Sequence, residues 1–174
     1  DRLVESAGAA AQIWKTGHSH MKKRMKELEA PLAGEMSGHI FIADDYLGFD
    51  DAIYAAVRVI TQMVKGGQSI TEFMDSLPEQ HATPELRIDC PDTVKFDSME
   101  KIRAHVLSGH DAADVNSIDG VRVRSGDGWW LIRASNTEAA LVARAEAADR
   151  TALNRLLSDI ETTLAAAGLD WKRP

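Results

Sequence analysis

The chain has 174 residues, 44% of them hydrophobic, and its 20 basic and 27 acidic side chains give a formal net charge of −7 at pH 7. This composition is typical of a soluble globular protein with one large or two small domains, and the acidic excess disfavours nucleic acid or an anionic membrane as a partner. The single cysteine excludes an internal disulfide, and no apolar run approaches the roughly 18 residues of a membrane span. We therefore predict a cytoplasmic protein in which a local site holds any bound anion.

Helix and strand patterns alternate in the first part of the chain, as in α/β layers. Residues 2–9 have a helical pattern, and residues 11–14, AQIW, have that of a buried strand. The loop KTGHSH then leads into a helix, because Met21, Met25 and Leu28 have the spacing of one helical face.

A strand, a glycine-containing turn and a second strand are predicted in PLAGEMSGHIFIADDY, residues 31–46. Asp50 and Asp51 are candidate caps of the following helix, which ends at KGGQS. One apolar stripe of this helix consists of Ile53, Ala56, Val57, Ile60, Met63 and Val64. Residues 1–75 are thus predicted to form an α/β domain with a mixed sheet and flanking helices.

The segment SLPEQHATP, residues 76–84, contains two prolines and no hydrophobic periodicity, so we predict a linker there. A strand follows in ELRIDCP. The next helix is predicted to carry on one face Phe96, Met99, Ile102 and Val106.

Three further strands are predicted near residues 115–124, 128–134 and 139–147, with SGDG as the tight turn between the first two. The last helix is amphipathic, with an apolar face of Leu153, Leu156, Leu157, Ile160 and Leu164. Residues 85–174 are therefore predicted to form a small α+β domain in which two helices cover a sheet of about four strands.

Three polar segments are candidate binding sites. In RASNT, Arg133, Ser135, Asn136 and Thr137 offer an arginine fork, hydroxyls and an amide near the free N–H groups of a turn, which suits a phosphate dianion. The alternative is an ordinary strand-turn-strand, because serine, asparagine and threonine are common in turns.

In GEMSGH, Glu35, Ser37 and His39 occupy alternate positions, so in an extended backbone their side chains point the same way and suit sugar hydroxyls. The polar face of an exposed strand is the alternative. In WKTGHS, Lys15 and His18 precede a helix N-terminus, where an anion is favoured, although an ordinary helix start with an exposed lysine fits equally.

Metal binding is not indicated by the sequence. His18 and His20 are separated by one residue and have neither a nearby cysteine nor a helical HExxH partner, so zinc is not predicted. The basic run KKRMK lies on a helix whose methionines mark its buried side, and we interpret its charges as a solvated face.

The motifs WKTGHS, GEMSGHIFI, GFDDAIYAA and RASNTE occur in the order seen in the α-D-phosphohexomutases, and the chain most resembles the phosphomannomutase/phosphoglucomutase branch. Members of that family have four domains around a cleft. The resemblance implies that this chain corresponds to the greater part of the third domain, which would be incomplete here, followed by the whole fourth domain. Because the chain does not begin with methionine, we expect it to be part of something longer.

The resemblance also implies roles for single residues. Glu35 and Ser37 match the sugar-binding loop, and His39 matches a histidine near the reacting sugar that is implicated in proton transfer. Lys15 and His18 match third-domain positions that face the ligand. The phosphate-binding loop of the fourth domain is matched by Arg133, Ser135, Asn136 and Thr137. Ala139 stands where the family usually has proline.

The family reaction implied for the full-length protein interconverts hexose 1-phosphate and hexose 6-phosphate through a phosphoserine and a hexose 1,6-bisphosphate, with Mg²⁺. Neither the phosphoserine motif nor the magnesium loop of the first two domains occurs in this chain, so we predict that it is inactive alone. Its expected partners are hexose phosphates and the missing domains. The alternative is a stand-alone, non-catalytic sugar-phosphate binding module.

Overall fold

The computed structural model describes residues 2–173, and the chain divides into two compact units, Asp1–Leu77 and Pro78–Pro174. The first unit ends inside the range 76–84 that the sequence indicates as a linker. Both units combine helices with a sheet, which confirms the predicted α/β character of the chain. The mixed sheet predicted for residues 1–75 is wrong, because the described strands of the first unit form a two-stranded antiparallel sheet. No helix in residues 2–173 is both long enough and apolar enough to span a membrane.

The described part of the first unit contains one antiparallel hairpin and four helices. Its strands are β1 (Leu32–Gly34) and β2 (Ile40–Ile42), and its helices are α1 (Arg2–Ser6), α2 (His18–Leu28), α3 (Ala52–Gly66) and α4 (Ile70–Asp75). Leu32 pairs with Ile42 and Gly34 with Ile40 across the hairpin. The strand-turn-strand predicted for residues 31–46 is therefore confirmed.

The strand predicted at residues 11–14 is wrong, because AQIW is irregular in the structure. A strand needs a hydrogen-bonded neighbour, and within the described part of this unit only β1 and β2 pair with each other. The segment is held on α2 instead. Arg24 donates to Gln12 Oε1 at 2.8 Å, and its guanidinium lies 4.2 Å from the centre of the Trp14 ring.

Helix α3 begins and ends where the sequence indicates. The Asp51 carboxylate accepts a hydrogen bond from the Tyr54 N–H group at 2.9 Å, which confirms Asp51 as the N-cap. The helix ends at Gly67, whose φ of 64° is in the left-handed region that favours glycine. The other candidate cap, Asp50, makes a different contact, which is described below with the site.

The apolar stripe of α3 faces solvent. Ile53 is 80% exposed and Val64 77% exposed, and only Ala55 of this helix is buried. Burial of such a stripe requires a second apolar surface, and none covers it within the described part of the first unit.

The second unit is an antiparallel sheet with two long helices. The strands are β3 (His81–Ala82), β4 (Leu86–Asp89), β5 (Val115–Asn116), β6 (Val121–Ser125), β7 (Gly128–Ala134) and β8 (Ala140–Ala147), and the helices are α5 (Asp92–Gly109) and α6 (Arg150–Ala166). The strand order is β3-β8-β7-β6-β5, and β4 also pairs with β8. The predicted sheet of about four strands has six among the described residues. The strand predicted over 115–124 is divided into β5 and β6, and β3 lies inside the predicted linker range.

Both helices pack on the sheet and against each other, and their apolar faces form the core of this unit. Its largest fully buried side chains are Trp130, Ile88, Ile102, Ile132, Leu141, Leu156, Ile160, Leu164, Val106, Val121 and Val123. The predicted face of α5 is wrong at Phe96, which is 70% exposed. Because consecutive residues are about 100° apart around a helix, the buried face that includes Ile102 and Val106 continues through Lys95 instead.

Candidate functional site

The hairpin turn between β1 and β2 carries the three polar residues of GEMSGH. Gly38 has φ of 91°, and the Glu35 N–H donates to His39 O at 2.9 Å, so residues 35–39 form a tight turn. The side chains still come together, because Ser37 Oγ lies 2.8 Å and a Glu35 carboxylate oxygen 3.5 Å from His39 Nδ1. The extended backbone assumed from the alternate spacing is therefore wrong, and the turn brings about the convergence.

A contact between distant segments of the first unit positions Glu35. Its side chain is only 8% exposed, and its Oε1 accepts a hydrogen bond from the Gly17 N–H at 2.6 Å. Gly17 has φ of 123°, which favours glycine, and directly precedes α2. The helix start and the hairpin turn are thus joined at one carboxylate.

His18, the first residue of α2, lies between two carboxylates. Its Nδ1 is 3.3 Å from Asp50 Oδ1 and its Nε2 is 4.0 Å from Glu35 Oε2. Its ring meets the His39 ring edge-on, with 4.4 Å between centres. We call His18, Glu35 and His39 the histidine–glutamate cluster. Lys15 is exposed in the loop that leads to it.

The segment that carries Asp50 is fixed by its neighbour. The Asp51 carboxylate accepts from the Tyr54 backbone N–H and from the Tyr46 hydroxyl at 2.7 Å. These two hydrogen bonds, the backbone one first, hold the pKa of Asp51 below its usual value. Asp51 is thus ionised at neutral pH. Because Asp51 is anchored by these hydrogen bonds, the adjacent Asp50 is held beside His18.

In the second unit, residues 133–138 are the last two residues of β7 and most of the turn to β8, and we call them the 133–138 loop. Ser135 N–H donates to Ala140 O at 3.0 Å and closes its base. Ser135 Oγ accepts from the N–H groups of Thr137 and Glu138 at 3.4 and 3.2 Å. Ser135 itself is buried, so its hydroxyl shapes the loop from inside.

Arg133, Asn136 and Thr137 are the accessible donors of this loop. Arg133 is half-buried, and the only hydrogen bond that its side chain makes with the described residues is from Nη1 to Ala134 O at 3.3 Å. No carboxylate among the described residues forms an ion pair with it. Asn136 and Thr137 are exposed, and the Asn136 N–H has no acceptor in residues 2–173. An anion therefore meets an unneutralised arginine next to a free N–H group.

Lys95, which is not among the candidate residues predicted from the sequence, supports the 133–138 loop from its buried side. Its side chain is 7% exposed. Its ammonium group donates to Ser135 O at 3.0 Å and Glu138 O at 2.9 Å and pairs with Asp92 at 2.5 Å. A sequence signal existed, because Lys95 precedes Ile102 by seven residues and Val106 by eleven, which places it on the same helical face.

Gly120 allows the backbone before β6 to approach Arg133. Its φ is 78°, and a Cβ atom placed on it would lie 2.6 Å from Arg133 Cβ and 2.7 Å from Arg133 Cα. Real side chains do not come so close, so any other residue at 120 would displace Arg133 or its strand.

The C-terminal end of the 133–138 loop is held by an ion pair between Glu138 and Arg87 of β4. Glu138 and Glu85 both pair with Arg87. The hydrogen bond that Arg87 donates to the Glu138 carboxylate is the main cause that raises the pKa of Arg87 above its usual value. The pair is exposed, so it orients Glu138 without adding much stability.

The described residues thus define an α/β protein with two separate groups of polar side chains, one in each unit. Residues 1–81 match the family model "Phosphoglucomutase/phosphomannomutase, alpha/beta/alpha domain III", and residues 85–163 match "Phosphoglucomutase/phosphomannomutase, C-terminal domain". Together these two matches cover most of the chain. It belongs to the phosphoglucomutase/phosphomannomutase family.

Individual relatives agree with this assignment. A phosphomannomutase/phosphoglucomutase of Pseudomonas putida is 43% identical over 162 residues, which are 93% of this chain and 35% of the relative. A family protein of known structure from Burkholderia thailandensis is 37% identical with a TM-score of 0.85, over 97% of this chain and 36% of that one.

A more distant structure shares the fold alone. It is an N-acetylphosphoglucosamine mutase of Aspergillus fumigatus in complex with glucose 1,6-bisphosphate, 14% identical with a TM-score of 0.63, over 97% of this chain and 36% of that one. The chain therefore spans about a third of the length of the relatives it matches.

Proposed function

We propose that this chain is the sugar- and phosphate-recognising part of a phosphomannomutase/phosphoglucomutase, which interconverts hexose 1-phosphate and hexose 6-phosphate. In this proposal residues 1–75 are part of the third domain, 76–84 a linker and 85–174 the fourth domain. The observation that carries the proposal is the 133–138 loop, where Arg133 has no carboxylate partner among the described residues. The identity to relatives of that name supports it.

The 133–138 loop would hold the phosphate that is not reacting. The Arg133 fork and the free Asn136 N–H offer charge-assisted hydrogen bonds to a dianion, and Thr137 adds an exposed hydroxyl. Ser135 keeps the loop in shape, because its oxygen already accepts from two N–H groups. These contacts bind the phosphate without contacting the sugar, so the loop accepts a hexose bisphosphate intermediate in both orientations.

The histidine–glutamate cluster would bind the sugar, with Ser37 and Lys15 beside it. A carboxylate and a hydroxyl are suitable partners for hexose hydroxyls. His39 would take part in proton transfer with the reacting hydroxyl. Its Nδ1 contacts Ser37 and Glu35, so Nε2 is the nitrogen that remains for the ligand.

Phosphoserine and Mg²⁺ would be supplied by the first two domains of the longer protein. Mg²⁺ prefers oxygen ligands in octahedral geometry. The one group of three potential metal ligands in the described part of this chain has two imidazoles and a carboxylate, so it does not fit Mg²⁺. We propose a cytoplasmic enzyme of hexose phosphate metabolism whose partners are small sugar phosphates, without nucleic acid or membrane.

The test is phosphate binding by the purified chain, followed by NMR. Addition of phosphate or mannose 6-phosphate should shift the amide signals of residues 133–138 with weak, roughly millimolar affinity, because one loop alone encloses little of the ligand. Arg133→Ala should abolish these shifts and leave the fold intact. Arg124→Ala, at an exposed arginine of the adjacent strand β6, is the matched control. Equal shifts in both variants, or unfolding by Arg133→Ala, would overturn the proposal.

A further inference from the structure

The histidine–glutamate cluster has the spacing of a metal site. One ligand atom from each of His18, Glu35 and His39 lies within 4.8 Å of the others. Glu35 Oε2 is 3.5 Å from His39 Nδ1 and 4.0 Å from His18 Nε2. In a tetrahedral zinc site with ordinary bond lengths, neighbouring ligand atoms are about 3.3 Å apart. Small side-chain rotations are therefore enough to close the site around an ion.

Neighbouring groups already orient two of the three ligands. The Gly17 N–H occupies Glu35 Oε1, so Oε2 is the oxygen turned toward the histidines. Asp50 lies 3.3 Å from His18 Nδ1, so Nε2 is the nitrogen turned toward Glu35. A carboxylate on the far nitrogen of a histidine is the usual outer partner of a metal ligand, because it fixes the ring and raises its basicity.

The charge and exposure of the cluster also suit a cation. Glu35 is 8% exposed, whereas the side chains of His18 and His39 are 42% and 43% exposed. Within residues 2–173 no lysine or arginine forms an ion pair with Glu35, so a nearly buried carboxylate lacks a permanent positive partner. The exposed sides of the two rings leave room for an ion to enter and for a water ligand.

We propose that His18, Glu35 and His39 bind a divalent transition-metal ion, with zinc favoured, and that water completes the coordination. Two imidazoles and one carboxylate prefer zinc, cobalt or nickel to Mg²⁺. Binding through His39 Nδ1 requires the Ser37 hydroxyl, now 2.8 Å from this atom, to turn away. The separation of His18 and Glu35 in the sequence explains why the spacing of His18 and His20 alone does not indicate zinc.

Cobalt(II) titration of the full chain, with any histidine tag removed, tests this proposal. A saturable one-to-one signal in the visible d–d bands, reversed by zinc and unaffected by Mg²⁺, is the expected result. His18→Ala and His39→Gln should each weaken cobalt binding by more than about tenfold, and Asp50→Asn by roughly tenfold, as for outer-shell partners.

His20→Ala is the matched control, because His20 is exposed on the same helix and outside the cluster. It should bind cobalt like the unaltered chain. Circular dichroism verifies that each variant is folded, and two different ligand variants guard against one that misfolds. Unchanged affinity in folded His18→Ala and His39→Gln, or equal loss in His20→Ala, overturns the proposal.

A second measurement rests on the proposed function. If the same side chains bind the sugar, mannose 6-phosphate should weaken zinc binding, whereas inorganic phosphate should not, because it carries no sugar hydroxyls that compete for these side chains. Zinc binding that is indifferent to mannose 6-phosphate would contradict the sugar-binding role and leave the metal site standing. Absence of zinc binding would contradict the metal site alone.

Discussion

At the scale of single residues, Gly120 is a position where a small chemical change should have a large effect. An alanine there requires the left-handed φ of 78° and an impossible approach to Arg133. We expect Gly120→Ala to lower the free energy of unfolding by about 1–3 kcal/mol, the usual cost of a strained backbone, and to weaken phosphate binding. Denaturant titration and NMR measure the two effects.

Gly109→Ala serves as the comparison for that variant. A Cβ at Gly109, the last residue of α5, would meet nothing within 4 Å, and its φ is not in the left-handed region. This substitution should be neutral or slightly stabilising. If Gly120→Ala were equally harmless, the close packing of that turn on Arg133 would be refuted.

Lys95 is a positioning residue, because it touches the backbone of the 133–138 loop from the buried side. Hydrogen bonds from a charged donor contribute roughly 1.5–3 kcal/mol each, so Lys95→Met should cost about 2 kcal/mol or more of stability. It should also reduce phosphate affinity by more than the exposed Lys101→Met on the same helix. Loss of stability with unchanged phosphate affinity would mean that Lys95 supports the fold and has no role in binding.

At the scale of elements, the exposed apolar stripe of α3 gives the first unit a hydrophobic surface patch. Contiguous exposed apolar side chains bind hydrophobic dyes and favour association. We expect Ile53→Lys with Val64→Lys to reduce ANS fluorescence by more than half. Stability should change by less than about 0.5 kcal/mol, since surface substitutions are usually mild.

Gln62→Lys controls for the added charge, because Gln62 is exposed on the same helix. It should leave dye binding unchanged. A double variant that unfolds, or one that binds as much dye as the unaltered chain, would show that the α3 stripe is not the surface responsible.

The elements also show which features a sequence can predict. The hairpin at 31–46 and the Asp51 cap depend on neighbouring residues, so local patterns found them. The helical spacing places Lys95 on the buried face of α5, but the carbonyl groups that make its burial possible lie about 40 residues away in the chain, where no local pattern indicates them. The strand at 11–14 was predicted from apolar content, but strand formation is decided by a partner.

In the candidate sites too, some features are determined by neighbouring residues and others depend on segments that are distant in the chain. The residue types of RASNT and GEMSGH were visible, and the structure shows the loop and the turn that present them. The link from Gly17 to Glu35 and the contact of Asp50 with His18 join segments that are far apart in sequence. For this reason the cluster could be recognised only once its members had been brought together in space.

At the scale of the whole molecule, we expect this chain alone to be catalytically silent. In the proposed function its own residues supply recognition, while phosphoryl transfer needs the phosphoserine and Mg²⁺ proposed for the rest of a longer protein. A coupled assay with glucose 1-phosphate, Mg²⁺ and glucose 1,6-bisphosphate should give no turnover, with a full-length phosphoglucomutase as positive control. Turnover of about 1 per second or more, a typical enzymatic rate, would contradict this.

The central position of β8 has a consequence during synthesis. β4 pairs only with β8, whose residues follow about 50 positions later, and β8 also pairs with β3 and β7. At a translation rate of roughly 5–20 residues per second, the finished β4 waits a few seconds for its partner. During this interval the nascent second unit lacks β8, so chaperones have access to Leu86 and Ile88, the two apolar side chains of β4 that the completed protein buries.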